Sequence, residues 1–236
     1  MSERSWERYG ASTGIAFGVL LLIAIFAAPS PPHIDASTGT IGAFYADHRH
    51  AVLFAGVVGA FATIAAVLFI AHLRHVYDRV EHGVEGLSTV VYITGITAVA
   101  ASMFSGIAGN TLAFMAGQGA LNDGGVIRAL YDGGYAANGF TILMTAAFLA
   151  ANAVAMVRGE AANVAIGWFA AALAAVSVVA GVGMMTVSSY SSTWAVLGLL
   201  SIVGLAAWDI VTGAAMLRRP EVEQMATHRS LVAPAH

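Results

Sequence analysis

Residues 164–187 read VAIGWFAAALAAVSVVAGVGMMTV and carry no charged side chain. Apart from Trp168, the only polar side chains in this run are Ser177 and Thr186. At about 1.5 Å per residue, a helix of this length crosses the roughly 30 Å hydrocarbon core of a bilayer. Barrel strands are not expected, because they alternate apolar and polar residues over only about 9–11 positions. This run therefore predicts a transmembrane helix.

The same pattern recurs through the rest of the chain. Further apolar windows of similar length lie at 11–29, 51–71, 87–110, 135–157 and 194–217. Lipid admits only helices and closed barrels, because every backbone polar group must be paired internally. The prediction is an all-α, polytopic membrane helix bundle with six transmembrane helices over 11–217. Residues 1–10 and 218–236 are then short terminal segments.

The composition agrees with a membrane protein and excludes several classes of function. Hydrophobic residues make up 58% of the 236 residues and charged ones 10%, against about 25% charged in a soluble domain. The chain has no cysteine, so disulfides, thiolate metal sites and cysteine nucleophiles are excluded. It has ten arginines and no lysine, which excludes a lysine Schiff base. With a net charge of −3 and no long basic run, nucleic-acid binding is not expected.

No cofactor is predicted. A haem held by two histidines needs ligands on facing helices within the membrane. No histidine lies inside a predicted span, and His50 and His72 flank opposite ends of the second one.

The arginines predict the orientation. An even number of spans places both termini on one side, together with eight of the ten arginines; Arg49 and Arg128 lie on the other side. Positive residues accumulate in cytoplasmic loops, so both termini are predicted to be cytoplasmic. The arginine-only, alanine-rich usage suggests a bacterial chain, and hence the bacterial plasma membrane.

A weak internal repeat precedes the second and fourth spans. Residues 41–45, IGAFY, match residues 127–131, IRALY, at an offset of 86. In each, the apolar side chains are spaced to form one face of a short helix. Two amphipathic half-helices, 38–49 and 124–132, are therefore predicted at the outer surface, each leading into a span. Their apolar faces carry Ile41, Phe44, Ile127 and Leu130.

The same segments carry a family resemblance. Six spans, AFYADHR at residues 43–49 and RALYD at residues 128–132 resemble a loose group of actinobacterial integral membrane proteins of unknown function. The likeness covers residues 11–217 and implies a six-helix fold and its topology. It implies no activity, so no functional residue is carried over.

Asp209, which follows Trp208, is the only ionisable side chain inside a span other than tyrosines at the edges. Such residues are costly in lipid and usually functional. Asp209 is predicted to lie about 5 Å to the cytoplasmic side of the midplane, at ~1.5 Å per residue. It is expected to face the interior, largely protonated near neutral pH. Expected hydrogen-bonding partners are Thr63, Thr94, Thr97, Asn152 and Thr212. The alternative is a neutral aspartic acid that only fixes helix packing.

Two candidate sites follow from the polar residues, one inside the spans and one at their outer ends. The ligand-binding set around Asp209 comprises Asp209, Trp208, Asn152, Thr97 and Thr63. A second set predicts a polar cup at the outer mouth of the bundle, able to hold a small ligand or a cation; its members are Tyr45, Asp47, His50, Asn110, Tyr131, Asp132 and Asn138. The alternative for the cup is an ordinary interfacial ion pair, such as Asp132 with Arg128.

A third cluster lies after the second span: His72, His75, Asp78, Arg79, Glu81 and His82. Imidazole and carboxylate groups suit zinc, but no second helix offers a further ligand. A solvated, partly basic face at the lipid headgroups is favoured, and no metal site is assigned.

These observations favour a protein that binds or transports a small apolar or cationic ligand, with proton coupling through Asp209 as a hypothesis. The alternative is a structural or accessory subunit, in which small-residue pairs such as Gly14 and Gly18 contact a second copy or another membrane protein. A membrane enzyme ranks third, because no nucleophile, base and metal set appears. A cavity lined by Asp209 would favour binding, whereas a tightly packed core with an exposed glycine face would favour assembly.

Overall fold

The computed structural model describes residues 3–80, 86–158, 163–186 and 192–218. These residues form seven α-helices and no strand. The helices are α1 (Glu3–Ala27), α2 (Thr38–Asp47), α3 (Arg49–Val80), α4 (Leu87–Gly117), α5 (Gly124–Arg158), α6 (Val164–Thr186) and α7 (Ser192–Leu217).

Six of the helices, all except α2, are long and apolar enough to cross a membrane. The chain is therefore a multi-pass membrane protein built as a six-helix bundle, as the sequence predicts. Each predicted span overlaps one of these helices. Because the spanning helices alternate in direction, the start of α1 and the end of α7 lie at one end of the bundle. We call this the terminal end, and we call the opposite end, where α2 lies, the α2 end.

The six spanning helices form a closed ring in chain order. Each packs against its neighbours in sequence, and α7 returns to pack against α1. Small residues allow the close approaches: Gly14 of α1 lies against the ring of Phe69, and Gly18 lies against the backbone oxygen of Ala206. A side chain at either glycine would overlap these atoms. Gly14 and Gly18 therefore serve packing inside the bundle.

The short helix α2 covers the α2 end. Its N-terminus is capped by Ser37, whose hydroxyl oxygen accepts a hydrogen bond from the backbone N–H of Thr40 at 3.1 Å. Ile41 is fully buried beneath it, in an apolar cluster with Leu112 and Ile127. This α2-end cluster also contains Tyr45, Ala113 and Tyr131.

The two predicted half-helices differ in the structure. Residues 38–47 form a separate helix, and the chain turns at His48 before α3 begins. Residues 124–132 are helical too, with Ile127 buried and Leu130 partly buried, but they continue without a break as the first turns of α5. Asp123 caps that start by accepting from the N–H of Gly125 at 2.8 Å. With no break in the backbone, the second element is not an independent surface helix.

Candidate ligand site

A cavity of about 710 Å³ lies inside the ring. Its walls come from α1, α3, α4, α5 and α7, while α6 packs behind α5 and α7 and contributes no lining residue. The lining is predominantly apolar or small, with Phe17 and Leu21 on α1 and Phe148 on α5. Ligand pockets typically measure about 300–1,000 Å³, so this cavity has the size of a small-molecule site.

Asp209 lies in the cavity wall and is completely buried, so it faces the interior as predicted. It belongs to a stripe on α7 formed by Ser201, Leu205 and Asp209, which all line the cavity. Spacings of four residues place these side chains on one helix face. The sequence reasoning missed Ser201, although counting back two turns from Asp209 would have found it.

The carboxylate of Asp209 has no hydrogen-bond partner among the described residues, at either oxygen. The prediction that a neutral hydroxyl or amide would bond it is therefore wrong. Three of the four predicted threonines instead donate to carbonyl oxygens of their own helices: Thr63 to Gly59 at 2.9 Å, Thr94 to Val90 at 2.7 Å and Thr97 to Ile93 at 2.8 Å. A hydroxyl in a helix finds such a carbonyl one turn away without crossing the bundle.

The other members of the predicted Asp209 set lie at different places. Thr63 lines the cavity, whereas Thr97 is exposed on the outside of α4. Asn152 is fully buried, where its side-chain oxygen accepts from the Tyr77 hydroxyl at 2.8 Å and its amide donates to the Phe148 carbonyl at 2.8 Å. Asn152 therefore has its own partners and does not reach Asp209.

Two neighbours of Asp209 on α7 are also unsatisfied. Trp208 is buried edge-on against the ring of Phe148, with centroids 5.9 Å apart, and its indole N–H has no partner in the described chain. The Thr212 hydroxyl is fully buried and likewise has no partner there. Most buried polar groups are hydrogen-bonded, so three exceptions within five residues need a cause such as a bound water or ligand.

Two asparagines line the same cavity toward the α2 end. Asn110 of α4 and Asn138 of α5 both belong to its wall. The Asn110 amide lies where a side chain on Gly56 would otherwise be, so glycine at position 56 makes room for it. The cavity therefore carries amide groups at one end and a carboxylate at the other.

The predicted outer cup does not assemble as one site. Its two asparagines point into the internal cavity, whereas Tyr45 and Tyr131 pack into the α2-end cluster. Burial raises the pKa of Tyr45. The Tyr131 hydroxyl donates to the backbone oxygen of Pro32.

The charged and imidazole members of the cup stay at the surface. Asp47 and His50 are exposed, and Asp132 pairs with Arg128 at 3.1 Å. The apolar face of α2 fills the mouth of the bundle, where the cup was expected. This packing is favourable because it removes the apolar side chains of α2 from water. The ion pair matches the alternative interpretation of these residues.

The cluster at the terminal end of α3 is divided among several neighbours. His72 is buried beside Gly10, Arg79 pairs with Glu7 at 2.6 Å, and Asp78 accepts from the Ser88 hydroxyl at 2.5 Å. No group of three metal-binding side chains occurs in the described ranges, and Glu81 and His82 lie outside them. The burial of His72 differs from the solvated face expected from the sequence, because glycine at position 10 lets α1 cover the ring.

Comparison with known proteins adds no assignment. No protein-family model, curated protein or solved structure matches the chain. The geometry of the site itself offers one carboxyl group, that of Asp209, in the wall of a predominantly apolar cavity. This group can accept a hydrogen bond or pair with a positive charge.

Proposed function

We propose that this membrane protein binds, and moves across or within the bilayer, a small and largely apolar ligand that carries a hydrogen-bond donor or a positive charge. The observation that carries the proposal is the pair of partnerless carboxylate oxygens of Asp209 in the wall of the 710 Å³ cavity. A buried polar group without a partner is unfavourable, so it favours a ligand that supplies one.

The cation form of the proposal includes a proton exchange. An isolated ionised carboxylate is very costly in an apolar environment, so the empty cavity favours the protonated acid. An ammonium ligand loses one proton to water before it enters the hydrocarbon, and the neutral amine then takes the proton of the Asp209 carboxyl group. The resulting carboxylate pairs with the re-formed ammonium ion, so one proton is released to water for each cation bound. The charge of the chamber then stays constant, which is the property that proton-coupled transport requires.

The test compares an amine with its alcohol analogue. We expect dodecylamine to raise the thermal unfolding temperature of the purified protein in mild detergent, and dodecanol to raise it less. A ligand that binds only the folded state stabilises it by an amount set by its concentration relative to Kd. Asp209→Asn should remove the difference between amine and alcohol, whereas Asp35→Asn, at an exposed aspartate in the α1–α2 connection, should keep it.

Proton release provides a second readout in the same experiment. In weakly buffered solution, dodecylamine added as its hydrochloride should acidify the wild-type protein sample more than the Asp209→Asn sample, because only the wild type has a carboxyl proton that the bound amine can take. Equal responses of wild type and Asp209→Asn to both compounds would contradict a ligand-binding role for this carboxyl group.

The accessory-subunit alternative has less support. Its motivating small residues, Gly14 and Gly18, face partners within the same chain. For location, we propose the bacterial plasma membrane with the terminal end in the cytoplasm. The support is the distribution of arginines in the sequence, eight in the segments predicted on the terminal side of the spans and two in those predicted on the other side.

A further inference from the structure

Helices α3 and α4 touch at two levels and separate between them. Toward the α2 end, Asn110 packs against Gly56; toward the terminal end, a Cβ at Gly95 would lie 3.0 Å from the Ile70 side chain. Between these contacts lie Gly59 of α3 and Gly106 of α4. A Cβ built on either would meet no atom within 4 Å. The two helices therefore leave an opening at this level.

The cavity reaches the surface of the protein through this opening. Most of the residues that line the cavity are buried or partly buried. Among the described lining residues, all those that are exposed lie on α3 or α4. They are Ala60, Ile64, Met103, Gly106 and Ile107. Ile64 and Ile107 are each 57% exposed and Met103 is 51% exposed although they line an internal chamber. We call this opening the α3–α4 window.

The window lies near the middle of the membrane. Gly59 is ten residues along α3 from Arg49, and Gly106 is eleven residues from Gly117 at the end of α4. At ~1.5 Å per residue both lie about 15–17 Å from the α2 end of their helices. That depth is half of the roughly 30 Å hydrocarbon core. The window therefore faces lipid tails rather than water or headgroups.

The two ends of the cavity are filled by apolar side chains. At the α2 end, the α2-end cluster lies over it, and Tyr45 approaches Gly109 of its wall. At the terminal end, Phe69, Phe148 and Leu205 line the cavity and belong to the main apolar core, which also contains Trp208 and Leu73. A ligand from the aqueous side would have to displace one of these clusters.

We propose that the ligand is a membrane-dissolved amphiphile, with an amine head and a hydrocarbon body, that reaches Asp209 from the bilayer through the α3–α4 window. This inference rests on the proposed function and specifies its ligand class and route. The apolar walls accept the hydrocarbon body, and the partnerless carboxylate at the terminal half accepts the head. A ligand that already partitions into hydrocarbon needs no aqueous pathway.

The experiment follows the rate at which a probe reaches the cavity in liposomes. The probe is dodecylamine with a diazirine on its alkyl chain; the comparison compound carries a hydroxyl in place of the amine. Light flashes at successive times capture the probe, and peptide mapping separates cavity positions such as Phe17 and Leu205 from lipid-facing positions such as Phe104. Labelling at Phe104, which is 70% exposed, reports probe in the bilayer.

Gly106→Leu should narrow the window and slow cavity labelling by about tenfold or more, since each ~1.4 kcal/mol of added barrier slows a step tenfold. Gly133→Leu is the matched control, because Gly133 is an exposed helical glycine on α5 whose Cβ would also meet no atom. It should leave the rate unchanged. Ile64→Ala widens the window and should accelerate labelling, an effect that a smaller cavity cannot produce; an unchanged thermal unfolding temperature excludes a loosened bundle as its cause.

The outcomes separate the two proposals. Cavity labelling that prefers the amine, depends on Asp209 and responds to the two window variants supports both. If labelling prefers the amine but its rate is the same in wild type, Gly106→Leu and Ile64→Ala, the lateral route is wrong and the proposed function is retained. Equal cavity labelling by amine and alcohol, unchanged in Asp209→Asn, overturns the proposed function itself.

Discussion

Asp209, Trp208 and Thr212 place unsatisfied polar atoms within one turn of α7, in the least accessible part of the molecule. Of the three, Asp209 lines a chamber with the volume of a small-molecule site. Proteins retain unfavourable groups of this kind where function requires them, at the expense of stability. The residue-scale expectation is therefore that Asp209 weakens the fold.

Asp209→Leu tests that expectation. We expect the free energy of unfolding to rise by about 1–3 kcal/mol, the usual cost of a buried polar group without a partner. Asp209 is part of the cavity wall, so the larger leucine side chain can extend toward the cavity. Thermal or denaturant unfolding in micelles measures the change.

Asp35→Leu is the matched control, since Asp35 is exposed, and surface substitutions typically change stability by less than about 0.5 kcal/mol. A marked loss of stability in Asp209→Leu would mean that the carboxyl group fixes helix packing, which is the alternative interpretation of this residue.

At the scale of elements, α2 and the connection before it are held by α5. The Arg128 guanidinium donates to the backbone oxygens of Ile34 and Ala36, each at 2.6 Å, and Asp132 pairs with it. The Tyr131 hydroxyl adds a bond to Pro32. These contacts fix the chain that leads into α2, and α2 in turn fills the α2 end of the bundle.

Arg128→Ala should therefore loosen α2 without unfolding the bundle. Hydrogen bonds to a charged group contribute about 1.5–3 kcal/mol, so amide exchange in residues 38–47 should accelerate by about tenfold or more. Hydrogen exchange followed by mass spectrometry in nanodiscs measures this. Arg158→Ala, at an exposed arginine at the other end of α5, should leave α2 unchanged; unchanged exchange in Arg128→Ala would contradict an anchoring role.

For the whole molecule, the ring of six helices places the start of α1 beside the end of α7, where Gly213 packs against the backbone of Ala11. The chamber has apolar clusters at both ends and a window in its side. This arrangement suits a ligand exchanged with the bilayer, and it gives the two ends of the bundle different charges. Among the described residues, six arginines belong to the terminal end and two to the α2 end.

That asymmetry predicts the orientation. A reporter active only in the cytoplasm should be active when fused after Leu217 and inactive when inserted in residues 118–123, between α4 and α5. The reason is that positively charged loops are retained on the cytoplasmic side. A reporter that requires export, placed at the same two positions, provides the complementary control. Export of the fusion after Leu217 would reverse the proposed topology.

Some features could be predicted from the sequence because they depend on the solvent rather than on neighbours. The bilayer sets the length of a span and requires internal hydrogen bonding, so six apolar windows gave six helices. The interior position of Asp209 followed in the same way, because a carboxyl group facing lipid is too costly. The apolar face of α2 was visible in the spacing of Ile41 and Phe44.

Other features depended on the tertiary structure. The predicted partners of Asp209 lie at a suitable depth in the membrane, yet the hydroxyls of Thr63, Thr94 and Thr97 bond to carbonyl oxygens of their own helices. The sequence could not predict this, because depth does not determine the direction in which a side chain points around its helix axis. The outer cup separated because α2 packs over the mouth of the bundle. The window arises where Gly59 of α3 and Gly106 of α4 leave open space, because a Cβ on either would meet no atom within 4 Å. Sequence determines which groups must avoid lipid, whereas the packing of whole helices decides which of them meet and where space is left between them.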